Sequence, residues 1–202
     1  MQKGELEAAL THLSRSHKVA FAASCAERLA PVYDLFSQLR DTDGRALVFD
    51  ALSRVWQLCE GISDVQIGAT LEALEALLAE FDEGSNDRLT AFAEDSIVAL
   101  LYALRCYQED SAEFAVFAAQ RSYEAVDALV HERDEIEFSE EGAEDRILAD
   151  PIIRQELGKQ ATDLAALTQQ HRLTHAICEE MRTSSRDIGV QFVFALRGWL
   201  AI

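Results

Sequence analysis

Proline and glycine are scarce in this chain, and that scarcity constrains its fold more than any motif it carries. Two prolines and nine glycines serve 202 residues, too few breaks for an all-β chain with many turns. Ala, Leu and Glu dominate instead, the strongest helix formers. Apolar residues recur at helical spacing, and boundary signals divide the chain into about seven helices. The first spans about residues 4–14. The second runs from about Lys18 to Leu39 and stops before the turn sequence Asp41-Thr42-Asp43-Gly44. A third covers about Arg45–Glu60. Ser63 is placed to cap a fourth that carries Ile67, Leu71, Leu74, Leu77, Leu78 and Phe81. The fifth, about Asp87–Gln108, contains SIVALLYAL, apolar nearly all round and therefore expected at the centre. Ser111 can cap the sixth, which reaches about Arg133 before a charged connector over residues 134–147. Asp150-Pro151 is a start signal, with Asp as cap and Pro at the first helical position, for a seventh helix to about Arg182. From Asp187 onward, Val and Phe content leaves helix or strand open. No internal repeat, linker or low-complexity segment occurs, and short loops imply antiparallel neighbours. The expected fold is all-α, a single-domain multi-helix bundle over residues 1–202.

The charge balance narrows function. Thirty-six acidic residues face 18 basic ones, a net charge of −18. Nucleic-acid affinity comes from Lys and Arg neutralising phosphates, and no basic stripe overrides the acidic field, so nucleic acid is excluded as a partner. An anionic membrane surface is disfavoured for the same reason. A basic partner, a cation or plain solubility fits better. The start MQKGELEAAL lacks a signal-peptide layout. No apolar run approaches the roughly 20 residues that span a bilayer; the most hydrophobic stretch, GVQFVFALRGWLAI, is interrupted by Arg197. Cys25, Cys59, Cys106 and Cys178 lie far apart without a CxxC pair, and read as reduced, buried thiols of a cytoplasmic protein.

The segment FAASCAERLAPVYDLF, residues 21–36, holds the first candidate site. At 100° per residue, Phe21, Cys25, Arg28, Val32, Phe36 and Leu39 share one narrow face. Arg28 stands mid-stripe, whereas Glu27 projects to its flank. A lone buried charge costs on the order of several kcal/mol, so Arg28 needs a carboxylate or backbone carbonyls. Glu94 or Asp95 on the fifth helix is the expected partner. Pro31 removes the hydrogen bond to the Glu27 carbonyl and should kink the helix. Two readings stand side by side: a structural knot, or a ligand or anion site using Arg28, Glu27 and Tyr33, since Arg is the natural fork for carboxylate or phosphate.

Phe21, Glu27-Arg28, Pro31, Tyr33 and Phe36 together form a pattern that resembles the YjaG-like bacterial family, domain of unknown function 416. Further echoes are Trp56 in ALSRVW, DSIVALLYAL, Asp150-Pro151 with Glu156, and Asp187-Ile188-Gly189-Val190. The resemblance covers roughly residues 5–192. It departs at Ala30 and Asp187, where the family pattern has an aromatic and an Asn, and in a longer tail. What it implies is an α-helical bundle in a bacterial cytoplasm; it implies no activity.

A second candidate is His171-x-x-x-His175-x-x-Cys178, three ligands on one face of the seventh helix, shared with Ile153, Leu157, Leu164 and Leu167. Two imidazoles and a thiolate could hold zinc or a similar metal, with Glu179 adding a carboxylate. A fourth ligand is not identifiable and no HExxH spacing exists, so no cofactor is expected. Glu124, Asp127 and His131 share a face opposite Ala115, Ala118, Ser122, Ala125, Val126 and Leu129; the acidic set reads as solvated and the Ala-rich face as core. No GxSxG, Gly-rich phosphate loop or recognisable cysteine signature is present. What remains is an acidic cytoplasmic protein, leaning away from catalysis, that works through an unknown protein partner or a homodimer formed by the tail. Phe192, Phe194, Trp199 and Leu200 would make that surface. The competing class is a ligand-binding protein or enzyme with Arg28 in an interhelical pocket.

Overall fold

The computed structural model describes residues 3–62, 66–81, 87–137, 139 and 141–202. Among them the chain is helical throughout, with no strand: α1 Lys3–Thr11, α2 Arg15–Arg40, α3 Arg45–Cys59, α4 Ile67–Ala79, α5 Arg88–Glu109, α6 Ala112–Arg133, α7 Ala143–Ala149, α8 Pro151–Gln169 and α9 His175–Leu200. The sequence reading of about seven helices is corrected to nine, for two reasons. The charged connector contains α7, whose Ala143 and Ile147 are buried. The expected seventh helix is two helices, broken at residues 170–174. Ser63, the expected cap of α4, lies outside the described residues.

The break carries neither Gly nor Pro. The imidazole of His17 reaches across from α2, its Nε2 3.1 Å from the Gln170 carbonyl, so Nε2 donates there while Nδ1 accepts from Ser14 Oγ at 2.5 Å. Thr174 then caps α9 by accepting from the Ile177 amide at 3.4 Å. Other caps follow the sequence. Asp150 accepts from the Ile152 amide at 2.8 Å with Pro151 at the first position, and Ser111 accepts from Glu113 at 3.2 Å. The tail is helix throughout, because its apolar residues meet the core at helical spacing: Cys178, Met181, Ser185, Gly189, Phe192 and Leu196 are its buried stripe.

The axis of the bundle is α2, and α5, whose SIVALLYAL stretch is mostly buried, packs along it. Every residue from His17 to Ala30 is buried, and α5, α9, α3, α6 and α8 all pack on it. Its run of Ala, Ser and Cys is what allows neighbours to approach on every side. The tightest approach is to α9: a Cβ at Gly189 would collide with the Arg28 carbonyl oxygen and sit 3.0 Å from Pro31 Cγ. On the other side, Ser96 of α5 donates to the Leu29 carbonyl at 2.9 Å. The helix runs through Pro31 without a break. On α6 the Ala-rich face is buried as read, but His131, expected in solvent, is buried too, with Nδ1 3.1 Å from the Ile136 carbonyl. No helix among the described residues is long and apolar enough to cross a membrane.

Candidate functional site

Adjacent residues on a helix point about 100° apart, so Glu27 and Arg28 cannot pair with each other. Each instead serves a different neighbour of α2. Arg28 turns to α8: Nε lies 2.6 Å from Glu156 Oε2 and Nη2 2.9 Å from Oε1, a two-point fork. Its Nη1 donates to Ser24 Oγ at 2.9 Å and approaches Asp163 at 3.5 Å. The expected partners Glu94 and Asp95 on α5 do not reach it; Asp95 pairs with Arg121 at 3.0 Å.

Asp163 is the second acceptor of this cluster, taking Ser24 Oγ and Lys159 Nζ as well. Ser24 Oγ in turn accepts from Ser185 Oγ of α9 at 2.7 Å. Gln160 donates to Glu156 Oε1 at 2.8 Å and to the Ala119 carbonyl at 3.1 Å, tying in α6. Two cations, Arg28 and Lys159, thus balance two carboxylates, Glu156 and Asp163. Burial works against the Arg28 charge, but Glu156, Cys25 and Asp163 outweigh it and hold the guanidinium above its ordinary pKa. Beside it, burial pushes the Cys25 thiol up to about 12.

Glu27, expected to project to the flank, is fully buried. Trp56 Nε1 of α3 donates to it at 2.8 Å, and Arg186 of α9 donates at 2.5 and 2.8 Å, with Arg182 at 3.5 Å. One dipeptide therefore fastens α3, α8 and α9 to the axis. The void next to Arg28, lined also by Ser122, Glu156, Gly189 and Phe192, measures about 10 Å³, room for about one water molecule. The Arg28 donors are engaged, Ser122 Oγ in its wall has no hydrogen-bond partner among the described residues, and the void itself is too small for a ligand.

Tyr33 stands apart from this knot. It lines a separate cavity of about 950 Å³ between α2, α3, α4 and α5, with Phe36, Leu47, Leu77, Phe81 and Glu80 in the same wall. The pocket expected to unite Arg28 and Tyr33 is thus two places. A Cβ on Gly44 would collide with the Tyr33 hydroxyl, so only glycine lets the α2–α3 turn close over this ring. The hydroxyls of Tyr33 and Thr42 are neighbours, and neither has a hydrogen-bond partner of normal geometry.

The helix break separates the expected metal set. His171 lies exposed in the break, His175 begins α9, and Cys178 is buried. His175 Nδ1 sits 2.9 Å from Glu60 Oε1, which raises its pKa. Among the described residues no group of three His, Cys, Asp or Glu side chains could hold a metal ion. The core face of α8 is also not the one read from its leucines. Ile153, Glu156, Gln160, Asp163 and Leu167 are buried, whereas Leu157 and Leu164 are half-buried.

The apolar tail divides between the core and solvent. Phe192 is buried, edge-on to Phe92 at 5.9 Å between centroids. Trp199 lies half-buried beneath the Arg88 guanidinium at 4.7 Å, and Leu200 is half-buried. Only Phe194 of the expected four projects into solvent, 81% exposed, joined one turn earlier by Val190 at 55%.

A DUF416 family protein from Shewanella baltica OS155, known from its crystal structure, has a similar fold. The TM-score is 0.79 with 21% identity, over 89% of this chain and 92% of that one. No curated protein matches this chain. The family model described as "Protein of unknown function (DUF416)" spans residues 5–192, and so takes in the Glu27–Arg28 knot, the Glu156 face of α8 and the Gly189 contact. With nearly the whole length matched, the chain belongs to the DUF416 family.

Proposed function

We propose that this protein acts without catalysis, in a bacterial cytoplasm, through protein contact, and that its first partner is a second copy of itself. One observation carries the reading: the outward face of α9 is self-complementary. Asp187, Val190, Phe194 and Arg197 are all exposed and fall within one arc of the helix at 100° per residue. Residue 192 is midway along this series. Laid antiparallel on its copy about that point, Val190 faces Phe194 and Asp187 faces Arg197, so apolar meets apolar and acid meets base twice over. Such an isologous contact closes after two subunits. A phenylalanine this exposed is otherwise a liability in an acidic, soluble surface.

Light scattering at matched concentrations tests it. Wild type is expected at twice the 22.5 kDa chain mass, and Phe194→Glu at the chain mass. Asp187→Arg and Arg197→Asp should each weaken association, and together restore it. A wild type at the chain mass, or a Phe194→Glu variant as heavy as wild type, overturns the reading.

A further inference from the structure

We infer that the cavity between α2, α3, α4 and α5 is a binding site for a small organic cation with an apolar body. Nothing in the proposed contact face depends on this site, and the two lie on different helices. Its volume of about 950 Å³ is at the upper end of the roughly 300–1,000 Å³ usual for small-molecule sites. Phe36, Leu47, Leu77 and Phe81 supply apolar wall, which accounts for the ligand's body.

The buried polar atoms supply the second requirement. Tyr33 is fully buried; its hydroxyl lies beside that of Thr42, the contact between them falls short of normal hydrogen-bond geometry, and neither reaches a third group within the described fold. A buried hydroxyl left in that condition destabilises a protein, and Gly44 makes the space that keeps Tyr33 there. A ligand bearing a hydrogen-bonding group beyond its apolar body would satisfy both hydroxyls. Reaching them requires the Leu77 side chain, which packs over Gly44, to turn aside.

Charge selects the sign. Arg40, the cation of the wall, is paired with Asp87. Asp41, Asp43 and Glu80 also line the cavity, and no Lys or Arg pairs with them among the described residues. An ammonium at the mouth would meet three carboxylates, whereas a carboxylate ligand would be repelled by them.

Dansylcadaverine, with a naphthalene body, a sulfonamide and a terminal ammonium, is a matching probe. Dansyl aminohexanoate carries a carboxylate in place of that ammonium. Fluorescence titration of the full chain is expected to show saturable dansylcadaverine binding, about ten-fold or more tighter than its anionic counterpart. Ala76→Trp keeps every charge and fills the cavity from an exposed wall position, so it should abolish binding. Ala73→Met does the same from further in, should the first variant melt early. Tyr33→Phe gives a signature that bulk attraction to an acidic protein cannot: a higher unfolding midpoint for the free protein together with weaker probe binding. Absence of saturable binding, equal binding of both probes, binding that survives Ala76→Trp in a folded protein, or a lowered midpoint for Tyr33→Phe would each overturn the inference.

Discussion

Arg28 and Glu156 face each other inside the bundle through two parallel hydrogen bonds, each side chain only 2% exposed. They are 128 positions apart, on the axial helix and on α8. Desolvating two charges is unfavourable, and the fork offsets it only where further hydrogen bonds reach the groups it leaves over. That condition is met here: Ser24 and Cys25 take the other guanidinium protons, and Gln160 serves Glu156.

Removing one member should therefore be far worse than removing both. Arg28→Ala leaves Glu156 and Asp163 short of a cation and is expected to lose about 3–5 kcal/mol in urea unfolding. The double change Arg28→Met with Glu156→Leu should lose less than Arg28→Ala alone. An Arg28→Ala midpoint equal to wild type would show that the pair contributes nothing to folding and would reopen Arg28 as a ligand anchor.

Gly189→Ala probes the α2–α9 crossing. The added methyl meets the Arg28 carbonyl, which is backbone and cannot swing aside. Either α9 shifts outward or the Arg28 fork loses its geometry, and overpacking of this kind costs about 1–3 kcal/mol. Denaturant unfolding gives the number, and an unchanged midpoint would mean that the two helices separate without penalty.

The helices were legible in the sequence because each presents an apolar stripe between usable caps, as at Ser111 and Asp150-Pro151. The break at residues 170–174 was not, because the side chain that meets the freed Gln170 carbonyl, His17, is over 150 positions away. The buried Arg28 was legible from its place in the stripe of Phe21 and Val32, but not its partner. The face 153, 156, 160, 163, 167 has strict helical spacing, yet three of its members are Glu, Gln and Asp, so reading only leucines put the core one position off. Polar residues at core spacing, matched to a buried Arg elsewhere, were the available signal. Glu27 went unread for the complementary reason: a flank of α2 counts as surface only if no helix covers it, and α3 and α9 do.

Asp95 should titrate late. Burial lifts its pKa from 3.8 to about 6, with Arg121 opposing and Glu124 and Glu94 assisting. The folded state then holds the proton more tightly than the unfolded one. The group's contribution to stability is therefore present below about pH 4 and lost as pH rises through about 6. Asp95→Asn, which mimics the protonated form, should gain on wild type by roughly 1–3 kcal/mol between pH 4 and pH 7. Carboxyl NMR should place the midpoint near 6 and move it higher in Arg121→Gln. A midpoint near 4 contradicts the burial account.

The four thiols should be silent until the chain opens. All are free and buried, and burial raises Cys25 and Cys106 to about 12, Cys178 to about 11 and Cys59 well above its ordinary value. The thiolate is the reacting species. At pH 8 an aromatic disulfide reagent should label none of them in native protein and all four in guanidinium. Prompt labelling of a native thiol would locate a region that opens locally.

The Glu27 side of the dipeptide is expected to be softer than the Arg28 side, and the difference follows from where each partner stands. Arg186, which holds Glu27 at 2.5 Å, is 45% exposed, and Arg182 is 24% exposed. Water can take over from Arg186, so Arg186→Ala should lose only about 1 kcal/mol or less. Trp56 is different, because it is buried and its Nε1 proton is a dry contact to Glu27 at 2.8 Å. Trp56→Phe removes that donor while keeping an aromatic ring, and should lose about 1–3 kcal/mol by stranding a carboxylate oxygen. Glu27→Gln keeps an acceptor for Trp56 and gives up only the half-solvated ion pairs, so it should fall nearer Arg186→Ala than Arg28→Ala. Urea unfolding of these variants beside Arg28→Ala ranks them directly. Should Arg186→Ala prove as damaging as Arg28→Ala, the exposed arginine would be holding α9 in place, and exposure would not be what separates the two halves of the dipeptide.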